Sequence, residues 1–212
     1  MKTSSGIIVL ALLLLMSGCA ATWTRIDNAG RQYQDEHFRI TLPVGWLRFR
    51  NKDSLILSHD GILLNNIIIE FRPHTKAFEK IEKDSSSDML PSELAELAIA
   101  ELRKTRDEGL PSLEVLSNAP IDLAGHTGFN IHLRYKTDDG LRMDILLRGL
   151  TDENGLYLIR YSAPTLYYFE RDLPVYDSLT ESLELAVAHG PNPSRLAYAS
   201  TSHLVPQCAK LT

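Results

Sequence analysis

From Phe129 to Tyr161 apolar and polar side chains alternate with a period of two, and this pattern constrains the fold more than any other feature of the chain. Phe129, Ile131, Leu133 and Tyr135 are interleaved with Asn130, His132, Arg134 and Lys136. Leu141, Met143, Ile145 and Leu147 repeat the pattern, and Tyr157, Ile159 and Tyr161 continue it. Successive side chains of a strand point to opposite faces, so the pattern predicts an antiparallel meander with one face on a core. The connections decide the register. If the odd-numbered residues share a face, each loop must hold an odd number of residues. Asp138-Asp139-Gly140 then pairs Tyr135 with Met143 and Leu133 with Ile145, with Gly140 supplying the left-handed residue of a three-residue hairpin. The same reasoning makes Glu153-Asn154-Gly155 the second loop and pairs Leu147 with Tyr161.

Shorter strand signals precede the meander. Residues 23–26, 38–42, 46–49 and 54–58 read as strands, and the isoleucine-rich run 63–71 reads as a central one. Residues 113–123 read as a further strand broken at Pro120. Between them a helix is predicted over 91–108. Pro91 suits its first turn, Glu93 and Glu96 lie near its positive end, and Arg103, Lys104 and Arg106 lie near its negative end. Ala95, Ala98, Ile99 and Leu102 form one apolar stripe, and Gly109 offers a left-handed stop. Leu179, Leu183 and Ala186 predict a second helix over 173–188, ended by Gly190-Pro191-Asn192-Pro193. Strands, helix, meander and helix in that order predict an α+β class protein, an antiparallel sheet with helices packed on it.

The N-terminus carries an address. Lys2, the apolar run 7–16 and the small pair Ser17-Gly18 have the layout of a secretory signal, with a run too short to cross a bilayer as a helix. Leu15-Met16-Ser17-Gly18-Cys19 resembles the lipobox of bacterial lipoproteins. That resemblance implies cleavage between Gly18 and Cys19 and acylation of Cys19, which would hold the protein on a membrane. Ala20 after the cysteine implies, by the sorting pattern of the same family, the outer membrane facing the periplasm. The expected partition is a signal peptide over 1–18, a lipidated tether over 19–36, one domain over 37–188 and a disordered tail over 189–212. Cys208, in that tail, is left without a partner in the chain once Cys19 carries lipid.

Composition narrows the chemistry. The net charge is −5 and no basic stripe is present, which argues against nucleic acid as a partner. The chain holds no G-x-S-x-G, H-E-x-x-H, Walker or C-x-x-C motif, so neither an enzyme nor a cofactor site is predicted. Ser58-His59-Asp60 has the letters of a catalytic triad, but Asp60-Gly61 reads as a turn, and adjacent strand residues point apart. Seven histidines are scattered without metal-ligand spacing. Trp46 reads as a core anchor, and Tyr167-Tyr168-Phe169 as an aromatic cluster near a helix start. The polar face of the meander is the one candidate site. In the predicted register Arg134 faces Asp144, and Arg148 faces Arg160, an unfavourable pairing unless an anion lies between them. Arg148 and Arg160, with His132 nearby, are therefore the candidate binding residues for an anionic group or a partner's carboxylate.

A second resemblance concerns the domain. Phe38-Arg39-Ile40-Thr41-Leu42-Pro43-Val44-Gly45-Trp46 resembles the opening of PsbP-like and DcrB-like domains. Tyr157-Leu158-Ile159-Arg160-Tyr161-Ser162-Ala163-Pro164, with Phe169 and Ser182-Leu183, resembles their closing strand and final helix. The likeness covers about 36–188 and extends to Mog-type proteins. It implies an α+β sandwich that binds partners or supports assembly without a shared active site. The expectation is a non-enzymatic, membrane-anchored lipoprotein with a protein partner in the cell envelope. The alternative is a module for a small anionic ligand.

Overall fold

The alternating segments form half of an eight-stranded antiparallel sheet. In the computed structural model, residues 23–51, 54–104 and 112–186 are described. The signal segment, Cys19, Cys208, the expected stop at Gly109 and the tail from 189 lie outside the described residues. Strands β1 (Thr24–Arg25), β4 (Leu47–Arg50), β5 (Ser54–Ser58) and β6 (Asn66–Pro73) make one half of the large sheet. The other half is β7 (Glu114–Leu123), β8 (His126–Lys136), β9 (Arg142–Thr151) and β10 (Gly155–Pro164). The strand order is β1-β4-β5-β6-β10-β9-β8-β7, so the meander returns to lay β10 against β6. A small second sheet joins β2 (Gln32–Gln34), β3 (Phe38–Thr41) and β11 (Glu184–Leu185). Helix α1 (Pro91–Arg103) and helix α2 (Tyr168–Glu181) complete the fold.

The first hairpin has the expected register. Tyr135 pairs with Met143 and Leu133 with Ile145, and Gly140 closes the turn with φ of 85°. The second hairpin differs. Thr151 pairs with Leu156, so four residues form the turn, and Leu147 lies opposite Arg160 instead of Tyr161. The Asp152 carboxylate is the cause. Its Oδ1 accepts the backbone N–H groups of Asn154 and Gly155 at 2.8 and 3.1 Å, an Asx-type closure that needs no left-handed residue. Gly155 is required for a different reason: a Cβ there would lie 2.4 Å from the Arg72 carbonyl oxygen on β6. One residue of slip exchanges the two faces of β10.

Both faces of the meander are consequently buried. Tyr157, Ile159 and Tyr161 join Leu146 and Leu150 in a core with Ile40, Trp46, Ile67 and Tyr176, beneath α2 and the small sheet. Leu156 and Leu158 join Phe129, Ile131, Leu133, Ile145 and Leu147 in a second core beneath α1. Helix α1 contributes Leu94, Ala95, Ala98, Ile99 and Leu102 to that core. Its larger side chains each contribute about 1.5–3 kcal/mol by burial.

Several boundaries move. Helix α2 starts at Tyr168, not 173, and keeps Pro174 in its interior, because Phe169, Tyr176 and Leu179 bury along one face and outweigh the lost hydrogen bond. It ends at Glu181, and the chain turns into β11, which pairs Glu184 with Arg39 and Leu185 with Phe38. Strand β7 runs unbroken through Pro120, which an edge strand tolerates because one side of its backbone makes no ladder. Residues 23–36 are not a tether in their described part: β1 pairs with β4, β2 pairs with β3, and Ile26 is fully buried.

Candidate functional site

Arg148, His132 and Arg160 do not form one site. Arg148 and His132 share the α2 face, and each is enclosed there. The Arg148 guanidinium donates to Asp177 at 2.6 Å, to Asn130 at 3.3 Å and to the Thr180 hydroxyl, and it lies 4.7 Å above the Tyr176 ring. It ties β9 to α2, with one N–H on each of its three nitrogens committed to Asn130, Thr180 and Asp177. His132 stacks on Phe169 with centroids 5.1 Å apart, and its Nε2 stands 3.4 Å from Asp144. The expected Arg134–Asp144 pair is present and bidentate, at 2.7 and 2.9 Å. Burial alone would raise the Asp144 carboxyl, but Arg134, His132 and the Thr165 hydroxyl together hold it below the usual carboxylate range.

Ser58 ends β5, and Asp60-Gly61 lies in the connection that turns the chain into β6. The Ser58 hydroxyl donates to the Asn65 carbonyl at 2.8 Å, and His59 Nδ1 meets Asp60 at 3.1 Å, so no nucleophile–base relay is built. Asn65, wholly buried, accepts the N–H groups of His59 and Asp60 and donates to Asp172 at 2.6 Å. Arg171 bridges Asp60 and Asp172 and lies over Tyr167 and Tyr168. This network clamps the β5–β6 turn to α2. Trp46 is buried in the core, and Tyr167 is exposed with a left-handed backbone, φ 71°. Among the described residues, no three His, Cys, Asp or Glu side chains are grouped to hold a metal ion. Nor is any helix there long and apolar enough to cross a membrane.

Arg160 lies on the opposite face, where the sheet is only half covered. The apolar contacts of α1 reach β8, β9 and β10. The apolar residues of β4, β5 and β6 on this face, namely Leu47, Phe49, Ile56 and Ile68, belong to neither core and are half-buried. They stand side by side: Phe49 pairs with Ile56, Ile56 with Ile68, and Ile68 with Arg160. Trp23, 38% exposed, extends the row by packing on Phe49 with centroids 5.4 Å apart. Arg160 sits where the covered half meets the open half, between Ile68 and Leu147. Its Nε is sealed from solvent without a hydrogen-bond partner, and no described residue pairs with its guanidinium. The nearby carboxylates of Glu70 and Glu101 are engaged by Arg72, each at 2.7 Å. Burial pushes the Arg160 guanidinium down, Glu70 opposes the shift, and Arg72 adds to it.

The pairing of Arg160 escaped sequence reasoning because it follows from the four-residue turn at Asp152. The open row left a trace in Leu47 and Phe49, which alternate with Arg48 and Arg50. That alternation marks a face but not whether anything covers it.

No family model matches the sequence, and a comparison with curated proteins finds no match. Solved structures do match. The solution structure of the cyanobacterial PsbP protein (CyanoP) of Synechocystis aligns with a TM-score of 0.55 at 13% identity, covering 81% of this chain and 99% of that one. A crystal structure from Bacteroides thetaiotaomicron aligns with a TM-score of 0.50 at 12% identity, covering 76% of this chain and 50% of that one. The Ran-binding protein Mog1p of Saccharomyces cerevisiae aligns with a TM-score of 0.48 at 10% identity, covering 79% and 97%. At these identities the likeness shows the fold alone. The fold is the PsbP-type α+β arrangement, an antiparallel sheet with two helices packed on it.

Proposed function

We propose that this protein is a non-enzymatic binding or assembly-support domain, held in the bacterial cell envelope by lipid on Cys19 and facing the periplasm from the outer membrane. The observation that carries the reading is the open half of the sheet. Trp23, Leu47, Phe49, Ile56 and Ile68 leave an apolar face without a covering element among the described residues. A half-buried apolar face without a covering element among the described residues is a candidate interaction surface. The lipobox supports the address, and the start of the fold sharpens it. Only residues 20–22 separate Cys19 from Trp23. Four residue steps reach about 14 Å, so the domain stands against the membrane surface and not at the end of a long leash.

The test is fractionation and crosslinking in intact cells. The wild-type protein is expected in the membrane fraction with specific envelope proteins crosslinked to its domain, and Cys19→Ala is expected in the soluble periplasmic fraction with those crosslinks reduced. A soluble wild-type protein, or no specific neighbour from any surface position, rejects the reading. The second reading, a module for a small anionic ligand, draws on the Arg160 cation, which has no partner among the described residues. Its test is direct titration of the purified protein with small carboxylates and phosphates.

A further inference from the structure

We infer that the open half of the sheet is the seat of an amphipathic helix from a partner protein, one that carries a carboxylate in its apolar stripe to pair with Arg160. The inference rests on reading this face as a partner surface and names the kind of partner. The two helices already on the sheet supply its chemistry. Helix α1 lays Leu94, Ala98 and Leu102 on one face and brings Glu101 to the sheet residue Arg72 at 2.7 Å. Helix α2 lays Phe169, Tyr176 and Leu179 on the other face and brings Asp177 to the sheet residue Arg148 at 2.6 Å. Each docking thus combines an apolar stripe with one carboxylate on a sheet arginine. The open half presents the sheet's share of the same arrangement: an apolar row at Phe49, Ile56 and Ile68, and an arginine beside it with no partner among the described residues.

The dimensions agree. Neighbouring strands lie about 4.8 Å apart, so the row from Arg160 to Phe49 spans roughly 14 Å. A helix is about 10 Å wide and packs 8–10 Å from a neighbouring helix. A helix laid over the row would cover Ile68 and Ile56 and bring a side chain of its edge within reach of Arg160. A bare apolar peptide would leave the Arg160 cation desolvated and unpaired, which costs binding; a carboxylate at that place removes the penalty.

The test uses the full-length chain carrying Cys19→Ala and two synthetic amphipathic peptides of about five helical turns, identical except for one glutamate or one glutamine within the leucine stripe. Binding is followed by the fluorescence of Trp23, with Trp23→Phe as the blank. The glutamate peptide is expected to bind about tenfold more tightly than its glutamine twin, the size of one charge-assisted contact. Arg160→Gln is expected to abolish that preference, and Ile56→Glu to weaken both peptides. Equal binding of the two peptides, or a preference that survives in Arg160→Gln, overturns the inference. So does a dimer in sedimentation that Ile56→Glu dissolves, since the occupant is then a second copy. Thermal unfolding of each variant confirms that it is folded. The peptide result does not depend on crosslinking in cells, so the inference can fail while the envelope role stands.

Discussion

Arg160 and Leu147 are direct cross-strand partners, and that pairing places Arg160 on the opposite face of the sheet from Arg148. The two arginines have contrasting surroundings as a result. Arg148 is held by Asp177, Asn130 and Thr180 under α2, whereas Arg160 has no hydrogen-bond or ion-pair partner among the described residues.

Replacing each arginine with methionine separates these environments. Arg148→Met removes a tie between β9 and α2 and is expected to lower unfolding stability by about 2 kcal/mol. Arg160→Met removes a desolvated cation that has no partner among the described residues, and is expected to leave stability unchanged or raise it by about 1 kcal/mol. Urea titrations of both variants check the difference. A large loss at Arg160 would mean that the side chain already has a partner.

Asp144 predicts a pH dependence. Its carboxyl is held below the range it has in the unfolded chain, so the unfolded state binds protons first as pH falls. The contribution to stability is fully present above the ordinary carboxylate pKa of about 3.9 and is lost as pH drops through the depressed folded value. Asp144→Asn is expected to have a shallower decline of urea midpoint below about pH 4 than the wild type. Arg134→Ala is expected to lose stability at neutral pH, because a carboxylate only 2% exposed is left without its bidentate partner. If Asp144→Asn follows the wild-type acid profile, the carboxyl is not depressed.

Two glycines distinguish crowding from backbone conformation. Gly155→Ala drives a methyl group against the Arg72 carbonyl at 2.4 Å and the Phe71 ring at 2.9 Å, and is expected to lower stability by about 1–3 kcal/mol. Gly140→Ala has open space but a φ of 85°, and is expected to lower it by about 1 kcal/mol. Urea midpoints rank the two, and equal or reversed losses would contradict the assigned β6–β10 contact.

The same residues show what was legible in the sequence. The β8–β9 hairpin could be derived because alternation and a three-residue loop ending in Gly140 admit one register. The next hairpin could not, because the turn closes on the Asp152 side chain and glycine at 155 answers to a neighbouring strand. The run Leu156-Tyr157-Leu158-Ile159 carried a signal that period-two reading discards: a strand apolar at every position is buried on both faces. Helix α2 is predicted too late because the spacing of Leu179, Leu183 and Ala186 carries the reading, while the burial of Phe169 and Tyr176 that starts it at Tyr168 is tertiary. Strand β1 falls within the strand read over 23–26, whereas β2 and β11 are three and two residues long and carry no periodicity of their own. The candidate site was legible only in its parts. Arg160 stands out as a charge within an apolar strand, but which half of the sheet lies open depends on where α1 packs.

Site-specific photocrosslinking in living cells tests most directly whether the open face is the working surface. A photoreactive residue is placed at Ile56 in the open row, and separately at Glu96 on the exposed side of α1. Ile56 is predicted to yield one dominant envelope partner, crosslinked within a helical segment that bears a carboxylate, and Arg160→Gln to weaken this product. Glu96 is predicted to yield none. Partners captured equally from both positions, or from Glu96 alone, would contradict the open face as the working surface.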